Sequence, residues 1–158
     1  MQKLSFEVKP STFVDSLSVI VYTILGIRLL SSVKFLDVYC ESIDMSYAQI
    51  DDRVIMNTVD AAISNIYKNF LQNASVNVDL SFRSGPSIFE TWKILVKKNS
   101  IPKPLLPTCI EIVKISNIDN LPETCTFTIT EESSKKPSKS WLLNALSSTL
   151  KSGLGWVS

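Results

Sequence analysis

The stretch FVDSLSVIVYTILGIRLL, residues 13–30, decides the fold because its apolar residues leave no polar face. The large apolar residues around the helical circumference are Phe13, Leu17, Val19, Ile20, Val21, Ile24, Leu25 and Ile27. A helix that is apolar on all sides must be covered on most of them. The longest mainly apolar run, residues 17–30, contains Arg28 and is shorter than the roughly 20 residues of a membrane span. We therefore predict a buried helix at the centre of the fold.

Residues 10–15 predict where this helix begins. Ser11 and Thr12 follow Pro10, and both residue types are good N-caps. Asp15 lies three positions after Thr12, where the acid of a capping box would lie. The sequence therefore predicts a capped helix start at Thr12.

The next stretch, VYCESIDMSYAQIDD at residues 38–52, raises the question of an acidic site. Residues 33–49 predict one strand with a bend or bulge where strict alternation fails. Glu41 and Asp44 would point to opposite faces of that strand, so their carboxylates would not converge. Asp51 and Asp52 stand where a helix begins, and a carboxylate there accepts from an unpaired backbone amide. We interpret the stretch as a strand and a helix cap.

The remaining elements alternate between helix and strand patterns. Residues 53–71 predict an amphipathic helix, and SVNVDLSF (75–82) with TWKILVKK (91–98) predict a hairpin whose turn exceeds two residues. SIPKPLLPT, residues 100–108, contains three prolines and predicts an extended connector. CIEIVKI (109–115) and TCTFTIT (124–130) predict two further strands.

These elements predict an α+β fold, in which a mixed or antiparallel sheet is backed by helices. Residues 1–132 form the predicted domain. Residues 133–158 predict a polar linker and a short C-terminal amphipathic helix, because apolar residues there recur at helical spacing with lysines around them. Trp141, Leu142 and Leu146 belong to the apolar face of that helix.

The composition argues against most enzyme classes. The chain has no histidine, which removes the commonest general base and the usual triads. Its three cysteines form no CxxC pair, and its four glycines form no phosphate loop. The formal net charge of +1 gives no general attraction to nucleic acid. We expect a cytoplasmic, non-catalytic protein without a cofactor, a metal or a nucleic-acid partner.

Several of these segments resemble the autophagy-related protein 101 family. The closest matches are a C-acid-x-I-D-x-(S/T)-Y pattern and an E-x-W motif, which here comprise Cys40, Ile43, Asp44, Tyr47, Glu90 and Trp92. The resemblance extends from about residue 13 to residue 98. It implies a HORMA domain and an adaptor role in the autophagy initiation kinase complex at the phagophore assembly site. In that role the domain would pair with the HORMA domain of autophagy-related protein 13, stabilise it and help to recruit downstream factors.

The resemblance also implies functional residues. The end of the first helix and the end of the tryptophan-containing strand should lie toward the partner, which nominates Ile27, Arg28, Lys97 and Lys98. The family has a tryptophan-phenylalanine finger in the loop before that strand. The loop here has no tryptophan, so Ile88 and Phe89 are the candidates for downstream recruitment, unless Phe89 closes the hairpin into the core. The proline-rich connector stands where the family has a third long helix.

A peripheral membrane protein is the alternative function. Lysines that flank a Trp-Leu face are typical of helices that lie at a membrane surface. Trp141, Leu142 and Leu146 would then contact lipid, or would instead dock on a protein surface.

Overall fold

The computed structural model describes residues 1–30, 33–116, 122 and 125–132. Its elements in chain order are β1 (Gln2–Val8), α1 (Phe13–Arg28), β2 (Phe35–Cys40), β3 (Met45–Ile50), α2 (Arg53–Phe70), β4 (Ser75–Ser84), β5 (Ser87–Lys98), α3 (Leu106–Ile115) and β6 (Thr126–Glu131). The predicted linker and helix at residues 133–158 lie outside the described residues.

The strands form a four-stranded sheet and a separate two-stranded ribbon. The order in the main sheet is β1-β5-β4-β6, with β1 parallel to β5 and the other pairs antiparallel. The ribbon is an antiparallel pair of β2 and β3. The chain therefore has an α+β fold with a mixed sheet backed by helices, as the sequence predicts.

The main sheet has one apolar and one polar face, because alternate residues of a strand point to opposite sides. In β4, Val76, Val78, Leu80 and Phe82 are buried, while Asn77 between them is exposed. α2 contacts β4 and β6, and α1 lies between α2, α3 and the ribbon. The core therefore sits between the sheet and the three helices.

The prediction of a central helix is confirmed. Its buried residues are Phe13, Ser16, Leu17, Ser18, Val19, Ile20, Val21, Tyr22, Ile24, Leu25 and Arg28. Pro10–Arg28 is, among the described residues, a helix long and apolar enough to cross a membrane by length and composition alone. The core helix of a soluble protein meets the same criterion, and the surrounding elements of this fold cover the helix.

Helix α1 begins after Thr12 as predicted but lacks the predicted capping box, whereas the aspartate cap of α2 agrees with the prediction. Thr12 makes no capping bond to α1, and Asp15 accepts a hydrogen bond from Ser42 Oγ at 2.5 Å. At α2, the Asp52 carboxylate accepts from the amides of Val54 and Ile55 at 2.9 and 3.1 Å. The capping box is therefore wrong, and the aspartate cap is confirmed.

The prediction of one strand over residues 33–49 is wrong, because the chain reverses in the middle. A single 3-10 turn, Glu41–Ile43, separates β2 from β3. Asp44 takes a left-handed conformation with φ of 48° and accepts a hydrogen bond from Tyr39 Oη at 2.5 Å. Aspartate tolerates that conformation better than most residues, so the reversal needs no glycine.

The segment after β5 also differs from the prediction. Residues 106–115 form helix α3, so the predicted strand at residues 109–115 is wrong, and the predicted extended connector at residues 100–108 ends at Leu105. Pro107 lies in the first turn of α3, where a backbone N–H has no helical partner to lose. The strand prediction for residues 124–130 is confirmed by β6.

Two more differences concern the sheet. The predicted hairpin is present, but its loop is the two-residue Gly85-Pro86 rather than a longer turn, and Gly85 has the positive φ of 59° that such tight loops need. The N-terminal strand β1 was not expected from the sequence. It lies at an edge of the sheet, and α3 packs against it.

Candidate partner-binding site

The four residues nominated for partner binding lie at two ends of the molecule. Ile27 and Arg28 end α1, where Arg28 contacts Glu90 near the start of β5. Lys97 and Lys98 end β5. At about 3.3 Å per strand residue, Glu90 and Lys98 are about 26 Å apart. The structure therefore does not bring the four residues together into one surface.

Arg28 is a buried ion-pair residue rather than a surface residue. Its Nε and one terminal nitrogen donate to the two carboxylate oxygens of Glu90. The side chains are only 2% and 13% exposed. A bidentate pair of this kind is strong and geometrically specific. Arg28 thus attaches the C-terminal end of α1 to β5 and is not presented to a partner.

Lys98 also has a structural contact. Its Nζ lies 5.0 Å from the centroid of the Phe70 ring and donates to the Leu71 carbonyl at 3.3 Å. A cation is favourable at the C-terminal end of a helix, where backbone carbonyls lack helical partners. Lys98 therefore stabilises the end of α2, and both Lys97 and Lys98 are exposed.

The hairpin tip presents Ile88 and Phe89. Phe82 pairs with Glu90 and Arg83 pairs with Ile88, so Phe89 is an extra residue in β5 and forms a β-bulge. Ile88 is 51% exposed and Phe89 is 39% exposed. The Phe89 ring lies 6.3 Å from the Phe82 ring, so it leans on the edge of the core without entering it. The tip therefore offers two adjacent apolar side chains on a short, bulged loop.

Within the described part of the chain, helix α3 presents three exposed apolar residues at the surface. Leu106, Ile110 and Val113 are 55%, 46% and 62% exposed. Their spacing of four and three places them on one side of the helix. We call these three residues the α3 stripe. Exposed apolar surface in a contiguous patch is typical of an interaction site.

The inner side of α3 is apolar as well. Ile112 is fully buried, and Cys109 packs against the core. Helix α1 contacts α3 on this inner side. Sequence reasoning missed the α3 stripe because it predicted a strand here. The signals that could have found it are the spacing of residues 106, 110 and 113 and the proline in the first turn.

The described residues offer little for catalysis. No group of three or more His, Cys, Asp or Glu within them could hold a metal ion. Burial raises the pKa of Cys40 and of Cys109, and it raises the pKa of Cys125 to about 11. A thiol with a raised pKa stays protonated at neutral pH and is a poor nucleophile.

Comparison with protein families settles the resemblance. The model of the family described as autophagy-related protein 101 matches residues 5–135. The chain belongs to the autophagy-related protein 101 family. The match continues past β5 through α3 and β6, beyond the segments that carried the resemblance in the sequence. Comparison with curated proteins gave no match.

Membership of this family gives the chain an autophagy-related role. Trp141, Leu142 and Leu146 lie outside both the described residues and the family match. The alternative of a membrane-bound tail therefore stays a prediction.

Proposed function

We propose that this chain is a non-catalytic adaptor of autophagy initiation with a HORMA-like domain. Its α3 stripe binds the HORMA domain of autophagy-related protein 13 and stabilises that domain within the initiation kinase complex. Family membership supports the autophagy role. The proposed pairing surface rests on one observation, namely that Leu106, Ile110 and Val113 are exposed together within the described residues.

The apolar character of the surface suits the centre of a specific protein contact. A standard interface buries about 800 Å² on each partner, with an apolar centre and a polar rim. The α3 stripe supplies the apolar centre. We include in the proposed surface the half-buried Ile27 and the exposed Leu30 at the end of α1, a helix that contacts α3. Ile27 therefore keeps its proposed partner role, whereas Arg28 and Lys98 support the fold.

We assign the recruitment of downstream factors to the hairpin tip. Ile88 and Phe89 are exposed on β5, whereas the α3 stripe lies on a different element. Two separate surfaces allow one adaptor to hold its partner and a later factor at the same time. The chain would act in the cytoplasm and at the phagophore assembly site.

The pairing is tested by comparing two double variants of α3. Ile110→Ser with Val113→Ser removes most of the stripe, while Glu111→Ser with Lys114→Ser changes two exposed polar residues of the same helix. Because central apolar anchors contribute about 2 kcal/mol or more, the stripe variant should bind the partner HORMA domain at least about 30-fold more weakly. Titration calorimetry measures this affinity, and the polar variant should bind almost normally.

Thermal melting of both variants serves as the folding control. Equal affinity of the stripe variant and the unchanged chain, with both folded, would exclude α3 as the pairing surface. Co-purification from starved cells then tests whether the adaptor role itself holds, because an adaptor should retain subunits of the initiation kinase complex.

A further inference from the structure

The α3 stripe has no cover within the part of the chain that the structure describes. Leu106, Ile110 and Val113 project away from the buried side of α3, which Ile112 defines. A helix that is apolar on both sides is unfavourable in water unless a second surface covers its outer side. The unpaired protein therefore needs a cover for this stripe.

The described chain ends beside a groove that extends across the sheet to α3. The Glu132 amide donates to the Asn77 carbonyl at 2.9 Å, and the Glu132 carboxylate lies 3.5 Å from Lys93 Nζ. Asn77 and Lys93 line a shallow groove of about 560 Å³ on the polar face of the sheet, and Glu111 of α3 lines the same groove. The chain thus leaves the sheet at one wall of a groove whose other wall is α3.

The next eight residues are long enough to reach the stripe. Three strand spacings of about 4.8 Å separate β6 from β1, and a packed helix adds about 10 Å, which gives a path of about 24 Å. Residues 133–140 can extend over about 27 Å. Their sequence SSKKPSKS is polar throughout and contains Pro137, so it suits an extended path across a polar sheet face.

The segment that follows the linker matches the stripe in chemistry. Residues 141–150, WLLNALSSTL, place apolar side chains at helical spacing, namely Trp141, Leu142, Ala145, Leu146 and Leu150. We propose that residues 141–150 pack as a helix on the α3 stripe in the unpaired protein and compete there with the partner. The docking itself is independent of the partner, whereas the competition rests on the proposed function.

Hydrogen-deuterium exchange of the full 158-residue chain tests the docking. The tail variant changes Trp141, Leu142 and Leu146 to serine, and the matched control changes Asn144 and Ser147 on the other side to alanine. The tail variant should expose the stripe, so that amides of residues 106–115 exchange at least severalfold faster, while the control exchanges like the unchanged chain. Equal exchange of α3 in all three proteins would overturn the docking.

The dependence of α3 protection on protein concentration tests whether a second copy of the chain covers the stripe instead of the tail. If a second copy of the chain covers the stripe, α3 protection should rise with protein concentration and light scattering should report a dimer. That result would also overturn the proposal. Protection that is independent of concentration and is lost in the tail variant supports it.

The affinity for the partner HORMA domain tests the competition separately from the docking of the tail. A stripe that is covered nine-tenths of the time lowers the apparent affinity about tenfold, so the tail variant should bind the partner about tenfold more tightly. Faster α3 exchange without tighter binding would support the docking but reject competition, and with it α3 as the pairing surface. Unchanged exchange, together with a loss of pairing in the stripe variant, would reject the docking and keep the proposed function.

Discussion

Helices α1 and α3 are both rich in apolar residues, yet the fold covers them very differently. Eleven of the sixteen residues of α1 are buried, while α3 buries only Ile112 among its ten. α1 lies between α2, α3 and β3, whereas α3 sits beside the edge strand β1. An apolar sequence therefore predicts that other elements pack around a helix. The position of the helix in the fold decides whether those elements belong to the same domain.

The largest loss of stability is expected when a charge is placed in α1, the helix that the fold covers. Ile24 is fully buried, so Ile24→Asp places an unpaired carboxylate in the core. We expect a loss of several kcal/mol, comparable with the whole stability of a small domain. The variant should be insoluble or unfolded by circular dichroism. A soluble variant with an unchanged melting temperature would mean that α1 is not the core helix.

The second largest effect should come from the ion pair that fixes the end of α1. Glu90→Ala removes the carboxylate beside the buried Arg28 and should destabilise the fold by about 3 kcal/mol in urea unfolding. The matched control is Asp79→Ala, which breaks the more exposed pair with Lys93 and should cost less than about 1 kcal/mol. Similar losses in the two variants would contradict the special role of the Arg28–Glu90 pair.

The hairpin tip should show a smaller effect on stability. Ile88→Ser with Phe89→Ser removes exposed apolar side chains and only the partial contact between Phe89 and Phe82. We expect a loss of about 1 kcal/mol, because no enclosed cavity forms. Starvation-induced autophagy should fall while pairing with the HORMA partner persists. A stability loss near 3 kcal/mol would instead show that Phe89 belongs to the core.

The smallest change in stability is expected from substitutions in α3, the helix that the fold leaves largely exposed. Ile110→Ser with Val113→Ser, the stripe variant, changes positions that are exposed in the described chain, so in the background of the tail variant, which removes the proposed cover, the unfolding free energy should change by less than about 1 kcal/mol. Urea unfolding of the unpaired chain measures it beside Ile24→Asp. A loss of several kcal/mol would show that the stripe is part of the hydrophobic core.

The sequence predicts the core elements better than the binding surface. Periodicity identifies α1, α2, the main hairpin and the Asp52 cap, because local pattern and tertiary environment agree in these segments. It fails at residues 109–115, where isoleucine and valine suggest a strand but the chain forms a helix beside β1. It also fails at Asp44, whose left-handed backbone reverses the chain without glycine or proline.

The candidate site was harder to predict, because it depends on which elements meet in space. Arg28 is a cation in the sequence, and only the fold shows that Glu90 neutralises it in the interior. Ile88 and Phe89 were predictable from their place in the hairpin loop. The bulge that brings both to the surface depends on a register shift between Phe82 and Arg83, which no local pattern indicates.

The parallel pairing of β1 with β5 has a consequence for how the chain folds. Gln2 pairs with Trp92 and Val8 with Lys98, so this contact closes a loop of about 90 residues. Pairings so distant in sequence form slowly. During synthesis β1 must wait until β5 has left the ribosome, and until the two strands pair, that edge of β5 is open to other strands. The N-terminal residues therefore complete the sheet late and protect its central strands from aggregation.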